Sequence, residues 1–115
     1  MNNITIGKKG EEIACNFLKE KGYKIIETNK RFSKYCEIDI IAEDKDFLVF
    51  CEVKTRKNKI CGSPFEAITK SKYQNIKKGI FFYLQENNKK YKNFRIDAIS
   101  IVLMPELEIK HLKNI

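Results

Sequence analysis

Two runs that meet at the turn EDKD do most to limit what this chain can become: CEIDIIAED, from Cys36 to Asp44, and FLVFCEVKTR, from Phe47 to Arg56. Both have the composition of buried strands, and their spacing predicts a hairpin. Side chains alternate along a strand. On the second run Val49, Cys51, Val53 and Thr55 therefore share one face, and Leu48, Phe50, Glu52, Lys54 and Arg56 the other. That second face begins apolar and ends charged, where a strand should still be burying surface. On the first run Glu37, Asp39 and Ile41 share a face, with Ile38, Ile40 and Ala42 opposite.

The rest of the chain reads around this hairpin. Apolar residues at Ile6, Ile13, Ala14, Phe17 and Leu18 predict a helix from Ile6 to Lys21, stopped at Gly22. A strand follows from Tyr23, with a break at Asn29-Lys30-Arg31. After the hairpin, Gly62, Ser63 and Pro64 mark a loop, and Thr69 can cap a second helix over 70–86 with the stripe Tyr73, Ile76, Ile80, Tyr83 and Leu84. Phe81 and Phe82 cannot both point inward, which leaves one exposed aromatic. A fourth strand starts at Phe94, and LEIKHL forms a short fifth. The expected fold is a single α/β domain over residues 1–115 with a mixed sheet.

Composition removes several classes. No apolar run approaches the roughly 20 residues that span a bilayer. The opening MNNITIGKKGEE lacks the apolar core of a signal peptide, so the expected location is the cytoplasm. One histidine, His111, and four cysteines at 15, 36, 51 and 61 match no zinc template. The net charge of +8 points toward a polyanionic partner, nucleic acid first. A lysine-biased genome would produce the same surface, so charge alone does not decide.

The charged end of the third strand carries the chemistry. If the two runs pair, Asp39 and Glu52 project from neighbouring strands on one side of the sheet. Carboxylates brought together repel and are costly to desolvate. A hard divalent cation removes that cost, and Mg²⁺ commonly takes one or two carboxylates plus substrate phosphates, with Mn²⁺ as a substitute. Lys54, about 7 Å along the strand from Glu52, can stand beside the ion without binding it. Such a trio suits phosphodiester cleavage. A lone E-x-K is more often a surface pair; D…ExK on two adjacent strands is more specific.

These residues also carry a resemblance. CEIDIIAED followed by LVFCEVKTR resembles the PD-(D/E)xK pattern of the restriction-endonuclease-like superfamily, which includes Holliday-junction resolvases. More closely, the chain is similar to the YraN family of bacterial proteins. The match runs through Gly7, Gly10, Glu11, Ala14, Phe17 and Leu18, then Gly22, Tyr23, Asn29 and Arg31, then Glu37 to Ala42. It continues with Phe50, Glu52 to Arg56, Gly62, Pro64, Glu66, Ala67 and Lys72. One departure is Cys36, where the family usually has glycine. The resemblance implies a central mixed sheet flanked by helices, with Asp39 and Glu52 as metal ligands and Lys54 as the catalytic lysine. Glu11 would be the helix-borne acid that reaches a second metal position or its water.

Other residues are weaker candidates. Glu37 is either a further ligand or an exposed acid. Lys72, one turn into the second helix, either approaches the site or a phosphate, or is simply solvated. Arg56, Lys57 and Lys59 follow the ExK segment and are placed to grip a nucleic-acid backbone. Asp97 reads as a structural acid that pairs Arg95, and His111 as a structural or solvent histidine. Two functions follow: a Mg²⁺-dependent nuclease acting on DNA, or a nucleic-acid-binding module that keeps the fold without the chemistry. A cleaver of four-way junctions is expected as a symmetric homodimer.

Overall fold

The computed structural model describes residues 2–34, 36–61, 69–86, 91 and 93–115. The loop markers Gly62, Ser63 and Pro64, and the matched Glu66 and Ala67, lie outside the described residues. Elements follow in the order α1 (Asn3–Glu20), β1 (Lys24–Ser33), β2 (Cys36–Asp44), β3 (Phe47–Arg56), a short 3₁₀ turn (Lys59–Cys61), α2 (Lys70–Glu86), β4 (Asn93–Val102) and β5 (Glu108–Leu112). The hairpin and α2 have the limits expected from sequence. Helix α1 starts earlier than Ile6 because Asn2 caps it, its side chain accepting the Thr5 amide at 2.9 Å. Thr69 caps α2 in the same way, its hydroxyl accepting the Lys72 amide at 3.1 Å.

The five strands form one sheet in the order β1-β2-β3-β4-β5. Only the β3–β4 pair is parallel, with α2 lying between those two strands in sequence; the other pairs are antiparallel. Each face carries one helix. On one side Ala14 and Leu18 of α1 pack over Ile40, Ala42, Val49, Cys51, Ile99 and Ile101. On the other, Ile76, Ile80 and Tyr83 of α2 cover Ile38, Ile41, Leu48, Phe50 and Ile96. Burial on both faces explains the unbroken apolar run from Phe47 to Cys51 in the central strand β3. No helix among the described residues is long and apolar enough to cross a membrane.

Three expectations change. The strand break at Asn29 is absent: Asn29 takes φ 51°, which a short amide tolerates, and the ladder to β2 continues from Thr28↔Ile40 to Lys30↔Ile38. Phe81 and Phe82 are both exposed, edge-on to each other at 6.0 Å between centroids. Two adjacent positions on the outer side of α2 both miss the sheet. Finally, Ile38 does not share a face with Ile40. It packs in the α2 layer, whereas Ile40 lies in the α1 layer. The β2–β3 ladder has its last pair at Ile40↔Cys51. Beyond it the Asp39 carboxylate, not a main-chain carbonyl, accepts the Val53 amide at 2.8 Å. Released from the ladder there, β2 changes the phase of its side chains.

Candidate metal centre and nucleic-acid interface

The parting of β2 from β3 builds the site. Asp39 and Glu52 come one step past the last ladder pair, so they face each other where β2 and β3 part. They line a cavity of about 420 Å³ together with Cys36, Glu37, Lys72, Asn75 and Ile76. Helix α2 forms its far wall. Glu52 is only 5% exposed. Its carboxylate pairs with the Lys72 ammonium, which reaches in from the first turn of α2. Glu37 lines the same wall and accepts from Arg31 at 2.9 Å. The Cys36 thiol donates to the Asn75 carbonyl at 3.0 Å, tying the start of β2 to α2.

The electrostatics follow from this crowding. Burial, and then the negative charge of Glu52, push the Asp39 carboxyl well above the usual carboxylate range. The Val53 amide and Lys72 pull the other way without offsetting it. Glu11 is raised as well, first by burial and then by the charges of Glu37 and Glu52, against a hydrogen bond with Asn29. The charge of Glu52 thus reaches both Asp39 on β2 and Glu11 on α1 across the end of the sheet.

Not every candidate converges on the cavity. Asp39, Glu52 and Lys72 do, with Glu37 beside them. Glu11 lines a separate depression of about 440 Å³ between α1 and β1, with Lys8, Thr28 and Asn29 among its neighbours. Lys54 is half-buried two residues beyond Glu52 and does not line the cavity. Past it, Arg56 is half-buried at the end of β3, and its carbonyl accepts the Leu103 amide at 3.0 Å. Lys57 is exposed, while Lys59 pairs with Glu108 at 3.1 Å. Two partners escaped the sequence reading. Asn29 holds Glu11, and its signal was an αL-tolerant residue inside a β run. Asn75 anchors Cys36 through its main chain, which leaves no signal in residue type.

Among the described residues no three Asp, Glu, His or Cys side chains converge closely enough to enclose a cation alone. The donor set still fits Mg²⁺, which leaves most of its shell to water and substrate phosphate and needs only one or two carboxylates. Asp39 and Glu52 meet that demand.

A mixed five-stranded sheet with a helix on each face, and acids gathered where two strands part, is consistent with a restriction-endonuclease-like domain. The chain belongs to the uncharacterised protein family UPF0102, the YraN family, whose model matches residues 10–101. That span includes Glu11, Asp39, Glu52, Lys54 and Lys72. The chain is 49% identical to a UPF0102 protein of Clostridium botulinum (strain Loch Maree / Type A3) over 118 positions, covering 97% of this chain and 94% of the relative. It is 41% identical to a UPF0102 protein of Dictyoglomus turgidum over 109 residues, covering 95% and 92%. A UPF0102 protein of Syntrophomonas wolfei is 39% identical over 113 residues, covering 97% of both.

Proposed function

We propose that this protein is a metal-dependent nuclease that hydrolyses phosphodiester bonds in DNA, with Mg²⁺ as its ion and Mn²⁺ as a substitute. One observation carries the reading: Asp39 and Glu52 face each other at the parting of β2 and β3, with Asp39 raised first by burial and then by its neighbour's charge. A fold gains nothing from crowding acids where a phosphate must approach, unless a cation joins them. Asp39 and Glu52 would hold that cation, which would supply Lewis acidity toward a phosphoryl oxygen and a water of lowered pKa. Lys54, just outside the cavity, offsets charge developing on the phosphate or orients the attacking water. Glu11 serves a second position from the α1 side. Arg56, Lys57 and Lys59 hold the backbone as the strand exits, and a two-fold junction substrate would be met by a homodimer.

A second reading rests on the Lys72–Glu52 pair. Because the chain neutralises Glu52 itself, the same fold can serve as a binding module without catalysis. Cleavage assays on linear, single-stranded, flapped and four-way-junction DNA and on RNA, with Mg²⁺ or Mn²⁺, separate the two. Cleavage of at least one DNA is expected, falling at least about a hundredfold in both Asp39→Ala and Lys54→Ala. No cleavage by the wild type, with salt-sensitive binding that survives both substitutions, would leave the binding module.

A further inference from the structure

Lys72 occupies the position of a counter-ion. Glu52 is buried, and an unpaired carboxylate there would be strongly unfavourable. Among the described residues its ion-pair partner is one ammonium, Lys72, on a side chain that is itself 43% exposed. The acid is fixed in the sheet, whereas its partner is carried on one long side chain that is partly in solvent. The lysine stem is flexible and runs from the first turn of α2 along the cavity wall, with open solvent behind it. Asp39 across the cavity has the Val53 amide as its hydrogen-bond partner. Glu37 on the same wall has Arg31, so among the described residues the Lys72 ammonium is the positive charge that serves Asp39 and Glu52.

We infer that Lys72 is an exchangeable occupant of the site: it neutralises Glu52 until a divalent cation displaces it, and the freed ammonium then stands at the cavity mouth. The inference rests on the metal reading above and adds a competition to it. A divalent ion brings twice the charge and can be held by both carboxylates, whereas the ammonium forms its ion pair with Glu52. The ion and the ammonium compete for the same Glu52 carboxylate, and like charges brought together there repel. The half-exposed lysine loses little on swinging into water, which makes it the group that moves. Lys72 thereby becomes a positioning residue. It lowers the affinity for metal, and it offers a cation at the cavity mouth once metal is in place.

Calorimetric titration of Mn²⁺ alone, without nucleic acid, tests the exchange. In Lys72→Ala the ion should bind about tenfold tighter than in the wild type, which corresponds to about 1.4 kcal/mol. Lys70→Ala removes a nearby exposed charge of the same sign and should stay within about twofold, as expected of a solvated lysine. Glu52→Gln should abolish the titration. Lys72→Gln keeps a polar stem and replaces the alanine variant should that one unfold. Unchanged or weaker binding in the Lys72 variants, or an equal gain in Lys70→Ala, overturns the exchange while leaving the metal reading intact. If neither the wild type nor the Lys72 variants take up Mn²⁺, the metal reading falls and the exchange with it.

Discussion

Asp97 shows what a single residue contributes away from the cavity. It is fully buried, yet it accepts from Arg95 Nε at 3.0 Å, from His111 Nε2 at 2.7 Å and from the Asn114 amide at 3.0 Å. Lys21, a donor only, faces His111 Nδ1 at 3.4 Å, so Nε2 carries the imidazole proton. Burial alone would raise the Asp97 carboxyl, but the three donors outweigh it and hold it below the ordinary carboxylate range. A folded pKa below the unfolded one gives stability that is fully present above the unfolded value of about 3.9 and is lost as pH falls through the folded value. Asp97→Asn should cost about 3 kcal/mol near neutral pH, since it removes the fully buried carboxylate that pairs with Arg95 and leaves that cation Asp44 at 3.1 Å and the Tyr23 hydroxyl at 2.6 Å. Urea unfolding in mild and strong acid should also show a shallower acid limb in the variant. An unchanged limb would mean that other carboxylates set the acid sensitivity.

At the scale of elements, α1 meets the sheet at one tight point. A Cβ built on Gly10 would lie 1.7 Å from Thr55 Oγ1 on β3, whereas one on Gly7 would meet nothing within 4 Å. The same substitution should therefore have opposite signs one turn apart. Gly10→Ala forces the helix off β3 and should lose about 2 kcal/mol, the usual cost of overpacking. Gly7→Ala should gain about 0.5–1 kcal/mol from helix propensity. Thermal unfolding of the two variants checks the pair, and a stabilised Gly10→Ala would refute this close approach. The tight point also bears on the site, because α1 holds Glu11 beside Gly10 and a lifted helix carries that acid away from the strands.

For the whole molecule, a net charge of +8 acquires direction only through the fold. Lys8, Lys30, Arg31, Lys54, Lys57 and Lys72 come from four separate elements and the segment after β3, so their use against a polyanion depends on where those elements end. The Arg56–Lys57 segment follows directly from the strand that bears Glu52. Arg56→Ala with Lys57→Ala should weaken DNA affinity and flatten the salt dependence of log K by about 0.9 for each phosphate no longer neutralised. Binding isotherms across a salt series measure that slope. An unchanged slope would move the nucleic-acid surface to another face.

Much of this was legible in residue order, because the signals were local. The hairpin limits, the span of α2 and its buried stripe follow from alternation, helical period and turn residues, and so does the placing of Asp39 against Glu52. The pairing of Arg95 with Asp97 was also within reach, since two strand residues of opposite charge stand two positions apart. What needed tertiary structure was any relation between elements distant in sequence. The meeting of Lys72 with Glu52 depends on how α2 lies over the sheet, and the joining of His111 to Asp97 depends on the β4–β5 register. The face taken by Ile38 turned on a side chain replacing a main-chain acceptor at the end of a ladder, which no periodicity encodes. Sequence determined which groups could do chemistry, since residue type and local period are written in it. Which of them share a cavity was decided by packing, because distance across a core is set by how all the elements pack together.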